Sequence, residues 1–327
     1  MFIIAIFLTI CNIFGNVINV SADEAYDVYN YDRWGEPIPS QAGYTAYRSV
    51  SGDNLGIGHF SNLSDITRDK EDNFYLVDTD NNRIVIINSE FDKVVQILNE
   101  FNYKGKKTTL NKPKGIFVSS YDNSIYIADT ENSKIIKCNY ESNIELIIEK
   151  PENDLYKKDQ TFLPQKIIVD KAGYIYCVLG NITSGAVMFN ANGEFTGFYG
   201  ANRSNASPIQ YFFKLIATEE MRKYMQNSVP APITGFDIDE EGFIYTCSSS
   251  QTQEIDTVKK LNSAGYNLFD GNGAIFGDIG TLYSANKTYR TSIVDIEISD
   301  DNLINCLDYT SGRIFQYDED CNLLFIV

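Results

Sequence analysis

The chain has few of the residues on which many catalytic and nucleic-acid-binding proteins depend. Its 327 residues include one histidine, His59, and 27 Lys and Arg against 44 Asp and Glu, giving a formal net charge of -17. Nucleic acids and anionic membrane surfaces need clustered cations, so we expect neither as a partner. A single histidine supplies neither a His-rich zinc site nor a pair of histidines for proton transfer.

Cysteine is also scarce, and its six residues show no paired spacing or CxxC motif. This pattern excludes zinc sites of the CxxC type and predicts free thiols in place of a disulfide framework. No G-x-S-x-G elbow or P-loop is present either. We therefore predict no cofactor, no metal and no catalytic residue. Outside the N-terminal region the cysteines are Cys138, Cys177, Cys247, Cys306 and Cys321.

Long apolar runs are absent except at the N-terminus, where residues 2–18 read FIIAIFLTICNIFGNVI. The small residues Ser21 and Ala22 follow it, as at a signal-peptide cleavage site. The sequence therefore predicts a signal peptide at 1–22 and an exported chain, extracellular or in the cell envelope. One feature departs from the pattern, because no Lys or Arg precedes Arg33. No other apolar segment is long enough to form a membrane-spanning helix.

The stretch YLVDTDNNRIVIIN at 75–88 contains a loop that resembles a calcium-binding loop. An EF-hand loop counted from Asp78 would need Gly at position 6 and Glu at position 12. Those positions hold Arg83 and Ser89. The flanking runs are β-branched, so the sequence predicts a tight turn between two strands. We expect a salt bridge between Asp78 and Arg83 across this turn, which would contribute only about 0–1 kcal/mol if the pair is exposed.

The turn recurs in YIADTENSKIIKCN at 126–139 and in NCLDYTSGRIFQYD at 305–318. In each copy an Asp precedes a cation by five residues, giving the pairs Asp129–Lys134 and Asp308–Arg313. An apolar anchor precedes each copy and two degenerate ones, and successive anchors are 50, 51, 69 and 60 residues apart. Such a period carrying several short strands predicts the blades of a β-propeller. The anchors are Ile66, Ile116, Ile167, Phe236 and Ile296.

The repeats place an all-β propeller at 25–327, with units near 60–105, 110–150, 161–200, 232–270 and 290–327. Residues 25–50 resemble the back half of a repeat, since VYNYDRWGEPI at 28–38 aligns with IFQYDEDCNLL at 314–324. They predict strands three and four of a sixth blade. Its strands one and two would come from residues after 327. We thus expect five full blades and a half blade.

The segments LVDTDNNRIVIIN and IADTENSKIIKCN resemble NHL repeats, whose propellers usually have six blades. YDRWGEPI, GFYGANRSNASPIQYFF and DIDEEGFIYT resemble a group of secreted NHL-repeat proteins of Gram-positive bacteria. Many of these continue into helical repeats and a membrane-spanning tail. The resemblance implies an exported propeller that contacts a membrane only through its signal or a missing C-terminal tail. It implies no particular chemistry.

Residues 201–232 lengthen the link between the third and fourth units. Ser207-Pro208 and Thr218 are helix-start signals, so we predict two short helices at 208–227, on the same face as the Asp78–Arg83 turn. Their apolar side chains either cap the propeller or bind a partner. The predicted partner-binding residues are Tyr211, Phe212, Phe213, Arg222 and Tyr224.

The turns on the other face are rich in carboxylates, among them Glu71, Glu241 and Asp301. Two interpretations stay open: these residues form turns, or they keep one face solvated and repel polyanions.

Two functions also remain open. The first is a non-enzymatic module that binds or scaffolds a protein or carbohydrate ligand, and it is the one we predict. The alternative is a metal-dependent, lactonase-like hydrolase using carboxylates around the propeller channel. We expect the channel to be lined by strand starts such as Ser64-Asp65, Gln165-Lys166 and Val294-Asp295, which offer few carboxylates.

Overall fold

A computed structural model describes residues 28–156, 158–180, 182–183, 185–200, 231–249, 257–270, 273–279, 282–284 and 287–327. These residues form an all-β chain whose five antiparallel sheets are the blades of a propeller. Two single turns of 3-10 helix, Thr79–Asn81 and Thr130–Asn132, interrupt the strands. The predicted fold class is confirmed.

The blades follow one another along the chain, and each is a meander of neighbouring strands. Blade 1 consists of Leu63–Arg68, Phe74–Asp78, Arg83–Ile87 and Val94–Leu98, close to the predicted bounds. Blade 2 consists of Gly115–Val118, Ile125–Asp129, Lys134–Cys138 and Ile144–Ile148, and blade 3 of Pro164–Val169, Ile175–Leu179, Ala186–Phe189 and Phe195–Tyr199. Blade 4 has the three strands Gly235–Ile238, Ile244–Cys247 and Val258–Leu261, and blade 5 has Ile293–Ile298, Ile304–Asp308, Ile314–Tyr317 and Leu323–Ile326.

Three two-stranded sheets lie outside the blades. They pair Tyr29–Tyr31 with Pro37–Pro39, Glu100–Tyr103 with Lys106–Thr109, and Leu282–Ser284 with Lys287–Tyr289.

The core lies between successive blades because side chains alternate across each strand. The face that carries the repeat anchor packs on the preceding blade. Ile116, Ile167, Phe236 and Ile296 are accordingly only 3%, 3%, 6% and 4% exposed. The five cysteines of the described residues are buried, and Cys138, Cys177, Cys247 and Cys306 are free thiols. Burial raises the pKa of the Cys138 thiol to about 12, which keeps it protonated.

Polar bonds reinforce the contacts between neighbouring blades. Thr79 Oγ1 donates to the carbonyl of Pro113 at 2.7 Å, and Thr130 Oγ1 donates to the carbonyl of Pro164 at the same distance. Asp65 accepts a hydrogen bond from the Ile116 amide at 2.9 Å. Blade 1 is thus fastened to blade 2, and blade 2 to blade 3, by side-chain bonds to the backbone as well as by apolar packing.

The N-terminal residues differ from the predicted half blade. The hairpin Tyr29–Tyr31/Pro37–Pro39 lies against the outer strand of blade 5, and Asn30 donates to the Leu323 carbonyl at 3.2 Å. Tyr29 packs into the core between blades 4 and 5, and its hydroxyl bonds to Asp278. The hairpin therefore packs beside blade 5 on the side of blade 4, and it does not extend the propeller beyond blade 5.

Residues 40–60, here called the strap, run without a regular strand from blade 5 to blade 1. Tyr44 contacts Phe325 edge-on at the blade 5 end. Arg48 donates to the carbonyl of Glu90 at 2.7 Å. The strap then covers part of the anchor face of blade 1. The residues that pack there are Leu55, Ile57 and Phe60, against Leu76, Val85 and Ile87.

Two other predicted segments cannot be compared with the structure. The signal peptide at 1–22 and the helices at 208–227 lie outside the described residues. Within the described part of the chain, no helix is both long enough and apolar enough to cross a membrane.

Candidate functional site

The recurring Asp turn is a structural joint. Asp78 is fully buried. Its carboxylate accepts from the Ser61 amide at 2.7 Å, Asn81 Nδ2 at 2.9 Å and Arg83 Nε at 2.7 Å. These donors bond to the carboxylate oxygens of Asp78 that a calcium ion would need as ligands. The arrangement is that of a structural turn, as the sequence predicts. The Asp78–Arg83 pair is largely buried, so the small contribution of an exposed pair does not apply to it, and the Asp holds the preceding link inside the fold.

The other copies keep the Asp but vary the cation. Asp129 is fully buried, accepts from the Asn111 amide at 2.7 Å and lies 3.5 Å from Lys134 Nζ. Asp308 accepts from the Ser292 amide at 2.6 Å. Arg313 turns to Tyr29 and donates to its hydroxyl at 2.8 Å. The recurring Asp therefore joins blades 1, 2 and 5 to the links before them, while the cation adapts to its surroundings.

In the acidic turns on the opposite face, the carboxylate of the first residue accepts hydrogen bonds from backbone amides of the same turn. Asp69 Oδ1 accepts from the amides of Glu71 and Asn73 at 3.0 and 2.8 Å, and Asp170 and Asp239 make the same pair of bonds. Such bonds explain Asp at these positions by turn geometry. Glu71, Glu241 and Asp301 themselves are exposed.

A triple variant Glu71→Gln, Glu241→Gln and Asp301→Asn is expected to change the free energy of unfolding by less than about 1 kcal/mol in total, because exposed charges contribute little each. Urea denaturation of the parent and the variant measures this. A loss of several kcal/mol would show that the three carboxylates are structural.

The channel between the blades contains an ion triad. Lys166 Nζ lies 2.6 Å from Asp65 Oδ1 and 2.8 Å from Asp295 Oδ2. These residues hold one repeat position, directly before the anchors of blades 3, 1 and 5. Glycine takes that position in blades 2 and 4, where a Cβ on Gly115 would lie 2.1 Å from the Gln165 carbonyl oxygen. The Lys166 and Asp65 side chains are 14% and 9% exposed, so this pair is largely shielded from water, whereas Asp295 is 36% exposed.

Burial and charge shift the pKa values around this triad. Burial alone would lower the pKa of Lys166, but the carboxylates of Asp65 and Asp295 raise it well above its usual value. Burial raises the pKa of Asp65 to about 6. It raises that of Asp237, which accepts from the Ile298 amide at 2.7 Å, to about 7. The channel thus holds carboxylates that titrate near neutral pH.

Asp237→Asn is expected to stabilise the protein near pH 8. The pKa of Asp237 is higher in the folded state than in the unfolded state. The free energy by which this group stabilises the fold is therefore fully present below about pH 4 and is lost as the pH rises through about 7. The amide can accept the Ile298 N–H bond without the cost of a buried charge. We expect a gain of about 1–3 kcal/mol at pH 8 and almost none at pH 4.5.

Urea denaturation of the parent and Asp237→Asn at both pH values measures this difference. A gain that does not depend on pH would contradict the titration argument.

A second candidate site is the seam between blades 5 and 1. Its blade 1 wall is apolar, and Ile66 there is 55% exposed. Its blade 5 wall carries both polar and apolar side chains. The polar ones are linked, since Gln316 Nε2 donates to Asn305 Oδ1 at 2.9 Å and to the Tyr44 hydroxyl at 2.7 Å. We define the seam surface by its exposed apolar side chains, Leu63, Ile66, Leu307, Tyr309, Ile314 and Phe325.

A pocket of about 350 Å³ adjoins this surface, between the strap and blade 1. Its volume is in the range of small-ligand sites. Apart from Arg48 it is lined by apolar and aromatic side chains: Tyr47, Val50, Leu55, Phe60, Leu63, Leu76, Ile87 and Phe91.

The predicted partner-binding residues Tyr211, Phe212, Phe213, Arg222 and Tyr224 lie outside the described residues. His59 is exposed on the strap, with Nδ1 2.5 Å from Asp53 Oδ2. Among the described residues, no three His, Cys, Asp or Glu side chains gather as metal ligands. The strand starts of the triad were named from the sequence, but their pairing was missed. The signal was available, because the residues before the anchors of blades 1, 3 and 5 carry charges of opposite sign.

No protein-family model matches the chain, and no curated protein matches it in sequence. Solved β-propellers are similar in structure. A virginiamycin B lyase from Staphylococcus aureus, solved with quinupristin, has a TM-score of 0.48 and 11% identity, covering 81% of this chain and 69% of its own. A protein of unknown function from Bacteroides caccae has a TM-score of 0.48 and 8% identity, covering 93% and 90%. Similarity at this level concerns the fold and carries no argument about activity.

Proposed function

We propose that this protein is an exported, non-enzymatic propeller that binds or scaffolds a protein at the cell envelope. The observation that carries the proposal is the seam surface. Its exposed apolar side chains occupy β-sheet faces, and contiguous exposed apolar surface marks interaction sites. The apolar run at 2–18 supports export, and the net charge of -17 favours a protein ligand over a polyanion.

The channel favours binding over hydrolysis. A lactonase-like centre would use channel carboxylates to hold a metal. Here Asp65 and Asp295 are both bound to Lys166, at 2.6 and 2.8 Å. A divalent cation would have to replace the lysine between them. The aromatic residues predicted at 211–224 stay in the proposal as a second contact surface.

The test uses the chain immobilised on a sensor, probed with proteins extracted from the envelope and with purified cell-wall glycans. We expect protein binding that is weakened by Ile66→Glu and Leu307→Glu. The matched control is Leu155→Glu, since Leu155 is also exposed but lies in blade 3's approach loop. Binding of glycans alone, or protein binding that the seam variants leave unchanged, would contradict this function. So would lactone hydrolysis that a chelator abolishes.

A further inference from the structure

The seam between blades 5 and 1 lacks the features that join the other blades. The anchors of blades 2 to 5 are at most 6% exposed, whereas Ile66, the anchor of blade 1, is 55% exposed. The opposite wall shows the same contrast. Leu307 and Ile314, a cross-strand pair of blade 5, are 38% and 39% exposed. The equivalent pairs of blades 1 and 2 are fully buried, namely Val77–Ile84 and Ala128–Ile135.

The polar fastenings change at the same place. Thr79 and Thr130 follow the recurring Asp of blades 1 and 2, and each bonds to a carbonyl of the next blade. Tyr309 holds this position in blade 5 and is 79% exposed. The blade 5 positions equivalent to those that fasten and cover the next sheet in blades 1 and 2 are therefore exposed.

Two ionic contacts link the walls. Arg68 of blade 1 bonds to Asp300 of blade 5, and both side chains are largely exposed. Lys166 joins Asp65 to Asp295 in the channel. An exposed pair contributes only about 0–1 kcal/mol, so the Arg68–Asp300 contact offers little resistance to separation of the walls.

The strap covers only the outer part of the blade 1 wall. Leu55, Ile57 and Phe60 pack on side chains of the second and third strands. Leu63 and Ile66 of the innermost strand remain exposed. The part of this wall that the strap leaves open therefore lies on the inner strand of the blade 1 sheet.

We propose that the seam receives a β-hairpin from a partner protein, whose two strands carry apolar side chains on both faces. This inference rests on the proposed function and specifies its mode of binding. Both walls are faces of repeat sheets, and in this propeller such faces are covered by other sheets. Insertion of a donated strand or hairpin into an incomplete β-fold is an established mode of recognition. Burying Ile66, Leu307 and Ile314 would supply its apolar driving force.

The probe is a labelled peptide with the sequence of the inner hairpin of blade 2, GIFVSSYDNSIYIAD, residues 115–129. In this chain that hairpin packs on the face of blade 1 opposite the seam. Its side chains therefore have the size and polarity that pack against a repeat sheet. Fluorescence anisotropy should show saturable binding to the full chain. We expect Ile66→Glu to weaken it at least about tenfold and Leu155→Glu to leave it unchanged, because burying a charge in an apolar contact is costly.

A peptide of the same composition in scrambled order serves as the second control. Equal binding of the scrambled peptide, no saturable binding, or the same affinity in Ile66→Glu would overturn the hairpin proposal. Dimerisation of the parent that Ile66→Glu abolishes would also overturn it, since a second copy would then fill the seam. If an envelope protein binds in a seam-dependent way but the hairpin does not bind, only this inference fails and the proposed function stands.

Discussion

Lys166→Met is expected to lower the free energy of unfolding at pH 7 by about 3–5 kcal/mol, because it leaves the shielded Asp65 carboxylate, and the partly exposed Asp295 carboxylate beside it, without their cation. Lys166 Nζ is 2.6 Å from Asp65 and 2.8 Å from Asp295, and the Asp65 side chain is only 9% exposed. Methionine retains most of the side-chain length, so the lost stability reflects the removal of the positive charge. The measurement is urea denaturation monitored by circular dichroism.

The matched control is Lys107→Met. Lys107 Nζ lies 2.5 Å from Glu100, but both side chains are exposed, so we expect a change below about 1 kcal/mol. The deficit of Lys166→Met should also shrink toward pH 5. Asp65 already has a pKa of about 6, and protonation removes the repulsion that the variant creates. Equal effects of the two variants, or a deficit that does not vary with pH, would contradict a buried triad.

Much of the fold could be predicted because its units repeat. The runs of the first unit predict strands near 64–68, 74–78, 83–88 and 93–98, within one residue of the observed strands, since β-branched runs alternate with turn residues at 74–87. The same periodicity identified all five anchors. The N-terminal hairpin could not be placed in this way. Its pairing, Tyr29–Tyr31 with Pro37–Pro39, follows from local sequence, but its position depends on Asp278, which is 249 residues from Tyr29.

The candidate sites were predicted less well, for a physical reason. The Lys166 triad joins blades 1, 3 and 5, so its geometry depends on how the blades surround the channel and not on any local motif. The seam is visible only from exposure, because Ile66 is an apolar anchor like the others in sequence. The structure shows that, among the described residues, no sheet covers Ile66. Similar local patterns thus have different roles at the seam and within the stack of blades.

Asp78→Ala is expected to destabilise the protein by about 3–5 kcal/mol and to loosen the strap. The variant removes the acceptor for the Ser61 amide, Asn81 and Arg83, and it leaves the guanidinium of Arg83, itself only 15% exposed, without a counter-ion. Buried groups that lose their partners carry the full cost of desolvation. Urea denaturation measures the global effect.

The effect on the strap has its own readout. Arg83 Nη1 donates to the carbonyl of Ile57 at 2.9 Å, so the Asp holds the cation that in turn holds residues 55–60 on blade 1. Hydrogen exchange at the amides of 55–60 should accelerate in Asp78→Ala more than at the blade 2 strands. Asp80→Ala is the control, because Asp80 is exposed and lies 4.0 Å from Lys112. If Asp80→Ala destabilised the protein as much as Asp78→Ala, or the strap kept its protection in Asp78→Ala, the buried Asp would not be the joint that fastens the strap beside the seam.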